Sequence, residues 1–132
     1  MSKQVKPTES ELEILNILWE KGASTVREIH EVLEQNKDAG YTTTLKLMQI
    51  MHEKGLLTRD ASSKTHIYVA AVTREQAQGQ MVQRMIDTMF KGSAMQLVMQ
   101  ALGNHKTDKD ELQQIKDYLK EIEKQQKKEE RD

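Results

Sequence analysis

Residues 42–54, TTTLKLMQIMHEK, place Leu45, Met48 and Met51 on one face at the helical spacing of about 3.6 residues, with Lys54 in the last turn and Gly55 as the stop. Residues 56–70, LLTRDASSKTHIYVA, abandon that period. Leu57 and Arg59 lead into a small polar turn, Asp60-Ala61-Ser62-Ser63-Lys64, after which His66, Tyr68 and Ala70 alternate with Ile67 and Val69. An alternation of two on both sides of a turn predicts an antiparallel hairpin directly behind a helix.

Two further helices are expected upstream. Thr8-Glu9-Ser10-Glu11 is a capping box, and Leu12, Ile14, Leu15, Leu18 and Trp19 follow on one side of the wheel as far as Lys21-Gly22. Thr25-Val26-Arg27-Glu28 repeats the box, with Val26, Ile29, Val32 and Leu33 sharing a face, before the polar break Asn36-Lys37-Asp38-Ala39-Gly40. Three short helices and then a hairpin is the order of a winged helix-turn-helix, whose third helix is built to enter a DNA major groove.

Downstream the chain reads as all helix. A third box, Thr73-Arg74-Glu75-Gln76, opens a segment through Ala77, Met81, Met85, Ile86 and Met89 to Gly92. A short helix carries Met95, Val98, Met99 and Leu102 and is expected to stop at Gly103. Thr107-Asp108-Lys109-Asp110 then caps a last helix on which Leu112, Ile115, Leu119 and Ile122 form a narrow apolar stripe between charged faces. Such a stripe matches the seam of associating helices, so Met81, Met85, Met89, Met95, Val98, Leu102, Leu112, Ile115, Leu119 and Ile122 are the candidate dimerisation residues. From Lys124 onward no apolar residue occurs, and the chain is expected to fray. The fold class expected is thus mainly α with a small β-hairpin. It comprises a winged helix-turn-helix over residues 1–72, a helical dimerisation region over 73–126 and a charged, disordered tail over 127–132.

Composition narrows the function classes. The chain of 132 residues has no Cys, which removes disulfides and thiolate metal sites and fits a reducing cytoplasm. No apolar run follows Lys3 and Lys6, and no stretch is long enough to span a bilayer. The four histidines, His30, His52, His66 and His105, have no ligand spacing and read as surface or packing residues. With no paired carboxylates, nucleophile elbow or glycine-rich phosphate loop, no catalytic residue, metal site or small-molecule cofactor is expected. The formal net charge of -1 speaks mildly against a phosphate-binding surface, but residues 40–70 carry four cations against two anions.

That local excess coincides with the third helix. Its face away from Leu45, Met48 and Met51 holds Thr43, Lys46, Gln49, Ile50 and Lys54, with Leu47 at the edge. Thr and Lys suit phosphates, Gln suits adenine and an exposed Ile suits a thymine methyl. An amphipathic helix with a solvated face accounts for the same residues in isolation; the preceding helix pair and following hairpin tip the balance to DNA. The candidate DNA-binding set is Thr42, Thr43, Thr44, Lys46, Leu47, Gln49, Ile50 and Lys54, with Arg59 and Lys64 on the hairpin. The alternative is a winged helix that binds protein instead of DNA.

The string from Thr8 to Gly22, with its Leu18-Trp19-x-x-Gly22 ending, resembles the opening helix of the penicillinase repressor (BlaI/MecI) family. Thr25-Val-Arg-Glu-Ile29 is similar to that family's second helix, Thr42-Thr43 and Glu53-Lys54-Gly55-Leu56 to the ends of its recognition helix, and Tyr68 to its hairpin tyrosine. The resemblance implies a cytoplasmic homodimeric repressor on an inverted-repeat operator, silencing β-lactamase or related resistance genes. It also implies a membrane-bound zinc metalloprotease sensor as partner, cutting in the helix that corresponds to residues 93–103. Three positions depart from the pattern. Ile50 stands where members often carry arginine, Gln100-Ala101 replaces the cleaved Asn-Phe pair, and the cysteine cluster of copper-responsive relatives is absent.

Overall fold

The computed structural model describes residues 7–131. In chain order it forms α1 (Glu9–Lys21), α2 (Val26–Glu34), α3 (Tyr41–Glu53), β1 (Leu57–Asp60), β2 (Ile67–Ala70), α4 (Arg74–Met89), α5 (Ala94–Asn104) and α6 (Lys109–Arg131). The leaderless reading of the first residues falls on 1–6, outside the described residues.

Both early capping boxes form. The Glu11 N–H donates to Thr8 Oγ1 at 3.2 Å while the Thr8 N–H donates to Glu11 Oε1 at 2.9 Å, and Thr25 and Glu28 repeat the pair at the same two distances. Gly22 and Gly55, at φ of 86°, let the chain leave α1 and α3 through the left-handed region that a side chain would strain. These stops set α1, α2 and α3 around a core of Ile14, Leu15, Leu18, Ile29, Leu33, Met48 and Met51, closed by Leu56, Leu57 and Tyr68. Full burial of each such side chain contributes about 1.5–3 kcal/mol, which ties three helices too short to persist alone.

The hairpin pairs Leu57 with Ala70, Thr58 with Val69, Arg59 with Tyr68 and Asp60 with Ile67. Tyr68 is buried with Leu57 on the face that meets the core, Arg59 shares that face but is exposed near the turn, and Val69 lies on the opposite, exposed face. An isolated antiparallel bridge joins Ser24, between α1 and α2, to Tyr68, giving the hairpin a third backbone neighbour. Helices and hairpin together make a winged helix-turn-helix.

The chain divides into two compact units after Met85, within α4. The first turns of α4 belong to the winged helix through specific contacts. Trp19 Nε1 donates to the Val72 carbonyl at 3.0 Å, Arg74 lies 5.5 Å over the Trp19 ring, Ala77 is fully buried, and Arg84 donates to the Pro7 carbonyl at 2.8 Å.

In the second unit two expectations are corrected and one, the cap of α6, is narrowed to a single residue. Gly103 does not end its helix: α5 runs to Asn104 and closes on a bond from the His105 N–H to the Ala101 carbonyl at 3.2 Å. The cap of α6 is Asp108, one residue past Thr107, its Oδ1 accepting the Glu111 N–H at 2.8 Å. The segment expected to fray from Lys124 is helical to Arg131. Glu, Gln and Lys are strong helix formers, and Lys128 and Arg131 sit where the helix dipole is negative, so no apolar contact is needed to carry the last turns.

Among the described residues of the first unit one carboxylate is buried. The Glu11 side chain is 2% exposed, and Lys54 Nζ donates to its Oε1 at 2.7 Å, joining the end of α3 to the start of α1. Lys54→Met leaves that carboxylate without its cation and should lower stability by about 1–3 kcal/mol, less than for a fully buried pair because the ammonium is partly hydrated. Adding Glu11→Gln should recover most of the loss. Urea unfolding of the two variants checks this, and equal stability of Lys54→Met and wild type would refute it.

Candidate nucleic-acid interface

The outward face of α3 is set by what it buries. Met48 and Met51 are fully enclosed and Leu45 and Leu47 half-buried against the core, which turns Thr42, Thr43, Lys46, Gln49 and Ile50 to the surface. Apolar exposure there is real: Ile50 keeps 38% of its surface and Tyr41 keeps 39%.

Two members of the expected set point elsewhere. Thr44 is 2% exposed, its hydroxyl 3.0 Å from His30 Nδ1 and 3.4 Å from the Gly40 carbonyl, because it lies one turn before Met48 on the buried side. Lys54 is held by Glu11, since a buried carboxylate draws the nearest cation. Leu47 is a half-buried packing residue at the rim of the face.

On the hairpin, Arg59 and Lys64 are exposed. The turn between them is shaped by Asp60 Oδ1, which accepts the Ser62 N–H at 3.0 Å, and by Ser63 Oγ, which donates to the Thr65 carbonyl at 2.7 Å. The Ser62 backbone bond, followed by the contact with the Ser62 side chain, holds the Asp60 carboxyl below its ordinary value of 3.8. At the start of α2, the Thr25 backbone and hydroxyl likewise depress Glu28.

Between α2, α3 and the hairpin lies a groove of about 500 Å³ lined by Thr25, Arg27, Tyr41, Gln49, Lys64 and His66 among others. The fold thus brings the expected Gln49 and Lys64 to one cleft, with Arg27 and Tyr41, two residues that sequence reasoning missed. The Arg27 guanidinium stands 5.3 Å over the Tyr41 ring, and that ring meets His30 edge-on at 5.5 Å. Arg27 was hidden inside a capping box and Tyr41 just ahead of the assigned helix. The proximity of α2's first turn to α3's is a tertiary fact with no periodic signal.

Of the ten candidate dimerisation residues, Met81 and Ile115 are half-buried. The other eight are exposed, among them Met89 at 69%, Met95 at 70% and Leu119 at 53%. Among the described residues no cluster of His, Asp or Glu could hold a metal ion, and no helix is long and apolar enough to cross a membrane.

A family model described as penicillinase repressor matches residues 7–121. The chain belongs to the penicillinase repressor family. Among similar proteins, a penicillinase repressor of Staphylococcus aureus is 21% identical over 123 residues, covering 93% of this chain and 98% of that one. The methicillin resistance regulatory protein MecI of Staphylococcus aureus strain N315 is 23% identical over 118 residues, covering 89% and 96%. A solution structure of the monomeric form of Bacillus licheniformis BlaI in complex with the blaP half-operator overlaps 58% of this chain and 93% of that one. Its TM-score is 0.49 at 17% identity. The family is one of transcriptional repressors and not of enzymes.

The depressed Asp60 makes the turn of the wing acid-sensitive in a defined direction. A carboxyl lower in the folded state than in the unfolded chain adds stability above its ordinary value, and that stability is lost as pH falls through the folded one. The Ser62 amide should therefore shift in an NMR titration with a midpoint below 3.8. A midpoint at or above that value would show that the Asp60–Ser62 bond is absent in solution.

Proposed function

We propose that this chain is a cytoplasmic repressor that binds a palindromic operator as a homodimer, α3 reading bases and the wing contacting phosphates. The observation that carries this is the exposed row Thr43, Lys46, Gln49 and Ile50 beside a groove that gathers Gln49, Arg27 and Lys64. A helix surface that mixes cation, amide and apolar groups suits base edges, whereas the cations around it suit the backbone. Arg59, exposed on β1, joins the phosphate contacts. The names of the two staphylococcal relatives support a target among β-lactam resistance or related genes.

The dimer rests on exposed apolar surface. Met89, Met95, Val98, Leu102, Leu112 and Leu119 each leave at least 40% of their area in water in a single chain, and a second copy is the partner that symmetry of an operator demands. In this reading the winged helix of residues 1–72 binds DNA and the helices from 73 onward associate. The membrane-bound sensor metalloprotease belongs to the same proposal, with a physical condition attached. Gln100-Ala101 lies inside α5, so a cut at that bond requires the helix to unwind locally, because proteases act on extended chain.

Lys46→Ala should weaken binding to the operator by about 1–3 kcal/mol and unequally across operator variants, whereas Lys64→Ala should weaken all sequences alike and flatten the salt slope by about one unit. Gel shifts at several salt concentrations measure both. Wild-type affinity that is flat with salt would favour a protein-binding winged helix and overturn the DNA reading.

Leu119→Asp places a charge in the proposed seam and should yield monomers with reduced operator affinity, since one winged helix covers one half-site. Analytical ultracentrifugation beside gel shifts tests the link. A wild type that sediments as monomer at micromolar concentration would remove the dimer.

A further inference from the structure

The helix proposed to read bases is the one helix among the described residues whose start has no side-chain cap. Thr8 and Thr25 cap α1 and α2, Thr73 exchanges bonds with Gln76 at the start of α4, Ser93 caps α5 and Asp108 caps α6. At α3 the cap position is Gly40, which offers no side chain. The core sets which face α3 buries, through Met48, Met51 and the half-buried Leu45 and Leu47, and Lys54 ties its far end to Glu11, but apolar contacts are non-directional and leave the first turns without a directional tie of their own.

A directional tie is supplied from α2. His30 is 6% exposed, and both ring nitrogens are engaged. Nε2 lies 2.7 Å from Glu34 Oε1, and because a carboxylate only accepts, Nε2 carries a hydrogen and donates it. Nδ1 lies 3.0 Å from Thr44 Oγ1, so the hydroxyl either donates to Nδ1 or accepts from it while facing the Gly40 carbonyl at 3.4 Å. In both cases Thr44, one turn into α3, is locked to the middle of α2. Tyr41 adds a second contact, its ring edge-on to the imidazole at 5.5 Å and under Arg27 at 5.3 Å.

We infer that His30 is a positioning residue for operator readout: by holding Thr44 inward it sets the roll of α3, and so aims Thr43, Lys46 and Ile50. The inference rests on the DNA-binding reading. It yields a signature that simple destabilisation does not share. Loss of folded protein lowers the affinity for every duplex by one factor, whereas a helix free to roll loses base contacts and keeps phosphate contacts, so the ratio of specific to non-specific affinity falls.

The probes are the duplex that full-length wild type selects from a random pool and a scrambled duplex of the same composition. Asn places its amide near the position of Nδ1, and Gln near that of Nε2. His30→Gln and Thr44→Val each remove the bond between His30 and Thr44 and should lower the specificity ratio about tenfold, the effect of one directional hydrogen bond at the strong end of its range. His30→Asn should restore a ratio close to wild type, and the double variant His30→Gln/Thr44→Val should fall no further than either single change. Should His30→Gln fail to fold, the isosteric Thr44→Val reads the same bond. An undiminished ratio in Thr44→Val, with wild type discriminating normally, overturns the role of His30 and leaves the DNA reading standing. A wild type that binds both duplexes alike overturns the two together.

Discussion

Between Ser24 and Tyr68 two backbone hydrogen bonds run in opposite directions, Ser24 N–H to the Tyr68 carbonyl at 3.0 Å and Tyr68 N–H to the Ser24 carbonyl at 2.8 Å. Both residues are essentially without solvent contact, and in such a place an unpaired peptide group is expensive. The bridge therefore fixes the register of the hairpin against the connection between α1 and α2. A slip of one residue along β2 would turn Tyr68 to water and Val69 into the core. The rim of the groove depends on the same constraint, since Thr25 and Arg27 follow Ser24 while His66 precedes Tyr68.

The polar groups of the winged helix divide by task. Glu11 and Lys54 are spent on closing α1 against α3, and Thr44 and His30 on joining α3 to α2. Among the described residues no buried side-chain polar atom lacks a partner. Lys46, Arg59 and Lys64 stay exposed on α3 and the hairpin. Net charge sums over the whole chain, so a near-neutral total is compatible with a local excess of cations within residues 40–70.

The two units are stabilised by different means. The first buries a continuous apolar core with Ile14, Leu15, Ile29, Met48 and Met51 at zero exposure. In the second none of the residues of α5 or α6 is buried, and the helices are sustained by propensity, caps and dipole while their apolar residues stay exposed.

Sequence periodicity determined the element types on its own. Capping boxes at Thr8, Thr25 and Thr73 are local patterns whose partners sit three residues apart, and the change of period after Gly55 separates helix from strand without any long-range information. The exposed Thr43, Lys46, Gln49 and Ile50 were legible for the same reason, since a wheel sorts a helix into two faces. A wheel gives no partner for a residue near the boundary of those faces. Thr44 went inward because His30 of α2 waits there, and Lys54 turned aside because Glu11 of α1 is buried without another cation. Arg27 and Tyr41 entered the groove because α2 and α3 bring their first turns together. Those outcomes are set by residues 14 to 43 positions apart meeting in space, and only the packed tertiary structure decides such meetings.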